Sequence, residues 1–212
     1  MWAGHEIRIV TVSRESGAGG AYVATALGKR LGWPVVDKTL VEEVARRLQA
    51  PLPDVEGVDE YAGGLLRRLG KVFAQGGPEF VFAPDQPDPD VVARVEQEVI
   101  RNVAESPPVI VVGRGAQCVL HQRPDTLHVR LVAPLETRAK RLAEALGLPL
   151  ESARERARHV DQERDRYVRH HFRCERDNPH LYDVQLSTGG IPLDEAVEIV
   201  LGIMHRRRAT AD

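Results

Sequence analysis

The chain has 212 residues, 42% of them hydrophobic and 28% charged, a composition that excludes a disordered chain and fits one folded domain. Its formal net charge of -2 offers nucleic acid no bulk attraction, and no apolar run reaches the length of a membrane helix. Two separated cysteines, Cys118 and Cys174, and a start without a signal-like apolar core make a cytoplasmic location the expectation, with the protein a monomer or homodimer.

Ile7 to Val12 is a β-branched run that predicts a first strand, followed by the turn-rich Ser16-Gly17-Ala18-Gly19-Gly20 and a helix over Tyr22 to Leu31. Trp33 to Val36 predicts a second short strand, and Lys38 to Gln49 carries apolar residues at helical spacing. From Leu52 to Pro89, one short helical stretch (Glu60 to Ala74) alternates with glycine, proline and aspartate, the pattern of an inserted cap or loop. Asp90 to Glu105 predicts an amphipathic helix, stopped by Pro107-Pro108 before the buried strand Val109 to Val112. Leu127 to Val132 alternates as a strand does; Leu135 to Leu146 and the charge-laced Leu150 to Phe172 are helical. Tyr182 to Leu186 and Leu193 to Arg207 complete the pattern as strand and helix. Five strands interleaved with helices predict an α/β fold in three layers, a five-stranded, mostly parallel sheet with helices on both faces.

The glycine loop stands between the first strand and a helix, where backbone N–H groups and the positive helix end converge on an anion. Ser16, Gly17, Ala18, Gly19, Gly20 and Ala21 are therefore the candidate nucleotide-phosphate cradle, although a plain tight turn would look the same. The phosphate-loop pattern is glycine, four residues, glycine, lysine, then serine or threonine. With Gly19 as its second glycine, Arg14 falls on the first, Gly20 on the lysine and Ala21 on the hydroxyl. Either an arginine such as Arg14 replaces the lysine, or the site binds without turnover.

Only Lys29, Lys38, Lys71 and Lys140 are lysines among 29 basic residues, so arginine supplies nearly all the positive charge. Its densest stretch runs from Arg154 to Arg169 with Asp161 and Asp165 interspersed: a solvated helix face, or a lid over residues 150–176 that clamps phosphates, with Arg164 and Arg169 as catalytic candidates. Arg114, in Val112-Gly113-Arg114-Gly115 at a strand's carboxyl end, is a candidate for the acceptor's phosphate. Asp37, just after the second strand, is a candidate base or acceptor-sugar contact, whereas Asp183 reads as structural. His159, His170, His171, Cys174 and His180 match no zinc spacing, and no metal site is expected from them.

Together, Ser13 to Gly20, Val112 to Gly115, His128 to Pro134, the Asp161, Arg164, Tyr167 and Arg169 spacing, and Tyr182-Asp183-Val184 resemble the cytidylate kinase-like family nearly from end to end. The resemblance implies a P-loop NTPase-like fold with an acceptor-binding insertion at residues 50–90 and a helical, arginine-bearing lid. It further implies transfer of the terminal phosphate of ATP, with Mg2+, to CMP or dCMP. On it, the loop Gly17 to Gly20 holds the donor, Arg114 is the strand-end arginine, and Arg164 and Arg169 are lid arginines. The sequence departs from the family pattern at the loop lysine, at Gly115 where an aspartate is expected, and at Glu42-Glu43 where an arginine is expected. A non-catalytic nucleotide- or phosphate-binding regulator, or a kinase of another small molecule, is the alternative.

Overall fold

The computed structural model describes residues 5–38 and 89–209 of the chain. The helix expected over Glu60 to Ala74, nearly all of that over Lys38 to Gln49, and the insertion up to residue 88 lie outside the described residues.

Strand β1 (Ile9–Arg14) pairs with β3 (Val109–Val112) on one side and β4 (Thr126–Val132) on the other; β2 (Val35–Val36) and β5 (Val184–Ser187) form the edges. The order β2-β3-β1-β4-β5 is parallel at every pairing, so the expectation of a mostly parallel sheet holds in full. Parallel strands need crossovers, and helices over both faces follow. Alternation along β1 divides the interior in two. Val10 and Val12 join Val23 and Leu27 of α1 (Gly20–Leu31) and Val197 and Val200 of α6 (Leu193–Ala209). Ile9 instead joins Val109, Val111 and the Val95, Val99, Ile100 and Val103 stripe of α2 (Pro89–Ala104). Each such side chain contributes about 1.5–3 kcal/mol on burial.

On β4, Leu127, Val129 and Leu131 enter the first core, while Thr126, His128 and Arg130 turn to the other face and are buried there. That half of the second face is polar. After β4 come two helices, α4 (Leu135–Leu146) and α5 (Leu150–Phe172), the first closed by Gly147 in a left-handed conformation (φ 64°). Both helices have the bounds the sequence predicts. Strand β1 instead runs on through Ser13 and Arg14, because β4 offers Arg130 and Leu131 as parallel neighbours. Strand β5 starts later than expected, since Tyr182 closes the 3-10 turn Pro179–Leu181 by donating its N–H to the Pro179 carbonyl at 3.1 Å. No described helix is long and apolar enough to cross a membrane.

Connections leave β1 toward one edge and β3 toward the other, so the switch point of the sheet lies between their carboxyl ends, where open α/β sheets bind ligands. Arg14 ends β1 and Gly113-Arg114 follows β3.

His128 has its Nδ1 2.7 Å from the Thr11 hydroxyl, and burial, with a lesser contribution from His121, pushes its pKa down to about 4. The imidazole stays neutral in the fold while the unfolded chain takes up a proton below about pH 6.5. Stability due to this residue is therefore complete above pH 6.5 and lost as pH falls toward 4, by about 3 kcal/mol across that window. Asp183, whose carboxyl burial pushes up, changes in the opposite sense near the lower end. Urea unfolding of the chain beside His128→Gln isolates the histidine: the stability of the chain relative to the variant is level above about pH 6.5 and falls from there to about pH 4.5.

Candidate active site

Beyond Arg14 the chain turns through Glu15 to Gly19 and enters α1 with Gly19 as its N-cap, left-handed at φ 85° and without a side-chain cap, and with no acidic residue in the first turn. The helix thus presents its first N–H groups without a carboxylate of its own in that turn. A Cβ on Gly19 would lie 2.4 Å from Cδ2 of Leu193, and one on Gly17 2.5 Å from the carbonyl of Arg138. These glycines therefore let α4 and the start of α6 close against the loop.

Asp161 of α5 is the hub that fastens this loop. Its Oδ1 accepts the backbone N–H of Ser16 at 2.9 Å and its Oδ2 pairs with Arg138 Nη1 at 2.8 Å. Arg138 also donates to the carbonyls of Ala133 (2.8 Å) and Ser16 (3.1 Å). Arg164 and Arg176 lie 3.7 and 3.6 Å from the same aspartate. Both then donate to one acceptor, the carbonyl of Arg14, at 3.1 and 2.9 Å, and Arg176 pairs with Asp165 at 2.6 Å. The side chain of Arg14 runs the other way, its stem beside Gly20 and its Nη1 against Gly113, where a Cβ would stand only 2.1 Å away. Burial, then the charges of Arg164 and Arg176, push the Arg14 pKa down to about 10. The group remains cationic at neutral pH, and an anion placed beside it would relieve that repulsion.

Gly113, Arg114 and Gly115 are all left-handed, with φ of 79°, 52° and 67°. For a residue with a Cβ this backbone is costly, so Arg114 is held by its contacts. Its Nη2 meets Glu96 Oε1 at 2.5 Å, the Tyr167 hydroxyl donates to Glu96 Oε2 at 2.9 Å, and the guanidinium lies 5.1 Å over the Tyr167 ring. Glu96 is 1% exposed. Strand-end turn, α2 and α5 are tied together through one buried carboxylate.

Among the clefts at these residues, two flank Arg14. One, of about 380 Å³, lies between the strand-end turn and α5 and is lined by Ser13, Lys38, Gly113, Arg114, Gln117 and Tyr167 among others. The second, of about 730 Å³, runs along the loop from Ser16 and Gly17 to Tyr22, with Arg141, Leu142 and Leu193 beyond. Arg14 and Arg164 line both.

The structure thus brings Arg14, Arg164, Arg114 and the loop from Ser16 to Ala21 together, Ala18 buried beneath it. Asp37 is near enough to raise the Arg14 pKa. Arg169 pairs with Glu175 at 2.7 Å on the surface and lines neither of these two clefts, but a third, of about 350 Å³, with Arg138, Asp161 and Arg176. Of the histidines considered, His170 and His171 meet Asp90, with His170 Nε2 2.8 Å from its carboxylate. Sequence reading missed Glu96, Gln117 and Arg176. Only Glu96 left a sign, as an acid on the apolar stripe of a helix.

The model of the cytidylate kinase-like family matches residues 9–189. The cytidylate kinase of Methanopyrus kandleri is 32% identical over 149 residues, 66% of this chain and 76% of that protein. An uncharacterized protein from Eubacterium ventriosum has a solved structure that matches with a TM-score of 0.70 at 20% identity, covering 93% of this chain and 98% of the other. The shikimate kinase of Bacteroides thetaiotaomicron matches with a TM-score of 0.51 at 13% identity and covers 93% of this chain and 98% of its own. These structural likenesses establish the P-loop NTPase-like fold.

Breaking the buried pair leaves the Arg114 charge without its carboxylate, which costs about 3–5 kcal/mol in comparable sites. Glu96→Ala should accordingly lower unfolding free energy in urea by that order, and Tyr167→Phe, which removes one hydrogen bond to a charged group, by about 1.5–3 kcal/mol.

Proposed function

The chain belongs to the cytidylate kinase-like family, and from that premise we propose that it transfers the terminal phosphoryl group of ATP to a nucleoside monophosphate, CMP or dCMP foremost. The observation that carries this reading is that Arg14 and Arg164 stand on the wall shared by two clefts. The loop side takes the donor and the side of Arg114 takes the acceptor. A phosphoryl group crossing between them spreads charge over its oxygens, and two fixed guanidiniums at the crossing stabilise that charge without reorganising. In this way the pair does the work of a loop lysine.

The fit to ATP rests on the uncapped start of α1 and on Arg14, Arg141 and Arg164 along the donor cleft. Magnesium would enter with ATP and neutralise its phosphates; the cradle's one hydroxyl is that of Ser16, which lines the donor cleft. On the acceptor side, Lys38, Arg114 and Arg176 supply further positive charge for an anionic substrate. Residues 150–176 serve in this reading as the lid, docked through Asp161, Arg164 and Arg176.

One contact favours the alternative of a nucleotide-binding regulator: Asp161 already takes the N–H of Ser16, so a carboxylate of the chain holds one of the loop's donors. Turnover separates the two. ATP consumption is expected with at least one member of a nucleoside monophosphate panel, and none with any member would leave the regulator or a kinase of another small molecule. Arg164→Ala is expected to lower kcat by about 10² or more while changing ATP affinity far less. Arg154→Ala, on the same helix but held at the surface by Glu136 at 2.7 Å and by Glu151, is expected to leave both unchanged.

A further inference from the structure

Asp90 in the first turn of α2 and His170 and His171 in the last turn of α5 bring three possible metal-ligand atoms within 4.8 Å of one another. His170 Nε2 lies 2.8 Å, and His171 Nδ1 3.6 Å, from the same carboxylate oxygen, Oδ1. Successive residues of a helix point about 100° apart. These two converge because one reaches with its distal ring nitrogen and the other with its proximal one, and the rings stand edge to face, 4.7 Å apart at 84°. A hydrogen bond to Asp90 needs only one imidazole, and His170 makes it. The second nitrogen at the same oxygen gives the cluster the form of a ligand set. Its members are 80 residues apart in the chain, so no sequence spacing announces them.

We propose that Asp90, His170 and His171 form a site for a divalent transition metal, Zn2+ foremost, which joins the start of α2 to the end of α5. Two imidazoles and one carboxylate are the donor set of a borderline-soft ion such as Zn2+, whereas Mg2+ and Ca2+ take oxygen. Zinc bonds to nitrogen and oxygen are about 2.0–2.2 Å long, which sets tetrahedral ligands about 3.3–3.6 Å apart. The 2.8 and 3.6 Å at Asp90 stand close to that spacing. Rotation of Asp90 and His170, whose side chains are 58% and 65% exposed, closes the difference, and the same exposure gives an ion its way in. His171 is the fixed member: its side chain is 13% exposed and its ring packs 4.6 Å from that of Tyr167. Three protein ligands leave a fourth position for water. None of the three residues lines the clefts described above, so this ion is distinct from the magnesium that would accompany ATP.

The test uses the full chain without a histidine tag, stripped by a chelator and titrated calorimetrically with Zn2+. A single tight equivalent is expected, and it should raise the melting temperature. Loss of an outer partner of a metal ligand costs about 10–100-fold in affinity, so His171→Ala and Asp90→Ala, which remove ligands, should each weaken that equivalent at least as much. His170→Ala carries the comparison if melting without metal shows that either of these fails to fold. His159→Ala, at an exposed pair with Glu163 on the same helix, should leave binding unchanged. Co2+ in place of Zn2+ should show no sulfur-to-metal charge transfer, which Cys118 on the short helix α3 (Ala116–Val119) or Cys174 would add. Failure of the parent chain to bind Zn2+ overturns the proposal, as does binding that survives the ligand substitutions. Equal weakening by His159→Ala, or a thiolate band with Co2+, also overturns it, because the ion would then sit elsewhere.

Discussion

The backbone carbonyl of Arg14 accepts hydrogen bonds from two guanidiniums, those of Arg164 and Arg176, and the site is built around that shared acceptor. Cations this close repel, and they stay because Asp161 and Asp165 stand among them. A hydrogen bond from a charged donor contributes about 1.5–3 kcal/mol, so the end of β1 holds α5 through Arg164 and the segment that follows it through Arg176. Through Asp161 the same helix holds the loop at Ser16, and through Tyr167 and Glu96 it holds the strand-end turn at Arg114. Loop, turn and arginine helix become one unit although 150 residues separate Arg14 from Arg164.

Much of this architecture is legible in the sequence because period and position coincide. Leu135–Leu146 and Leu150–Phe172 are read correctly at both ends, since proline precedes each and a residue in the left-handed conformation, Gly147 or Arg173, closes it. The strand ends are less legible. Ser13 and Arg14 look like loop on composition, but the neighbouring β4 makes them strand, and that neighbour is more than 100 residues away. The start of α1 moves to Gly20, a residue that propensity argues against, because the loop packs against Leu193 and Arg14 and leaves no room for a Cβ.

Site residues follow the same division. Arg14, Arg114 and Arg164 can be read locally, each from its place beside a strand end or on an arginine-rich helix. Glu96 could have been read, because an acid among Val92, Val95, Val99 and Ile100 on one helical face demands a buried cation. Asp161 is legible as a member of the family spacing, but its hold on Ser16 and Arg138 comes from tertiary contacts the sequence does not show. Arg169 shows the converse. It has the spacing of its neighbours, but the helix turns it toward Glu175 and away from both clefts.

The passage of Arg14 between Gly20 and Gly113 gives positions 14, 20 and 113 a common allotment of space. A methyl group at either glycine would overlap the arginine side chain, by its stem at 20 and by its head at 113. Among relatives positions 14 and 20 should therefore vary together: a shorter residue at 14 frees Gly20 to become alanine, a long cation at 14 forbids it, and Gly113, left-handed at φ 79°, stays glycine in either case. Covariation of this kind records a steric exclusion, and it would single out the chains that have kept an arginine at the crossing between the clefts from those that have given it up.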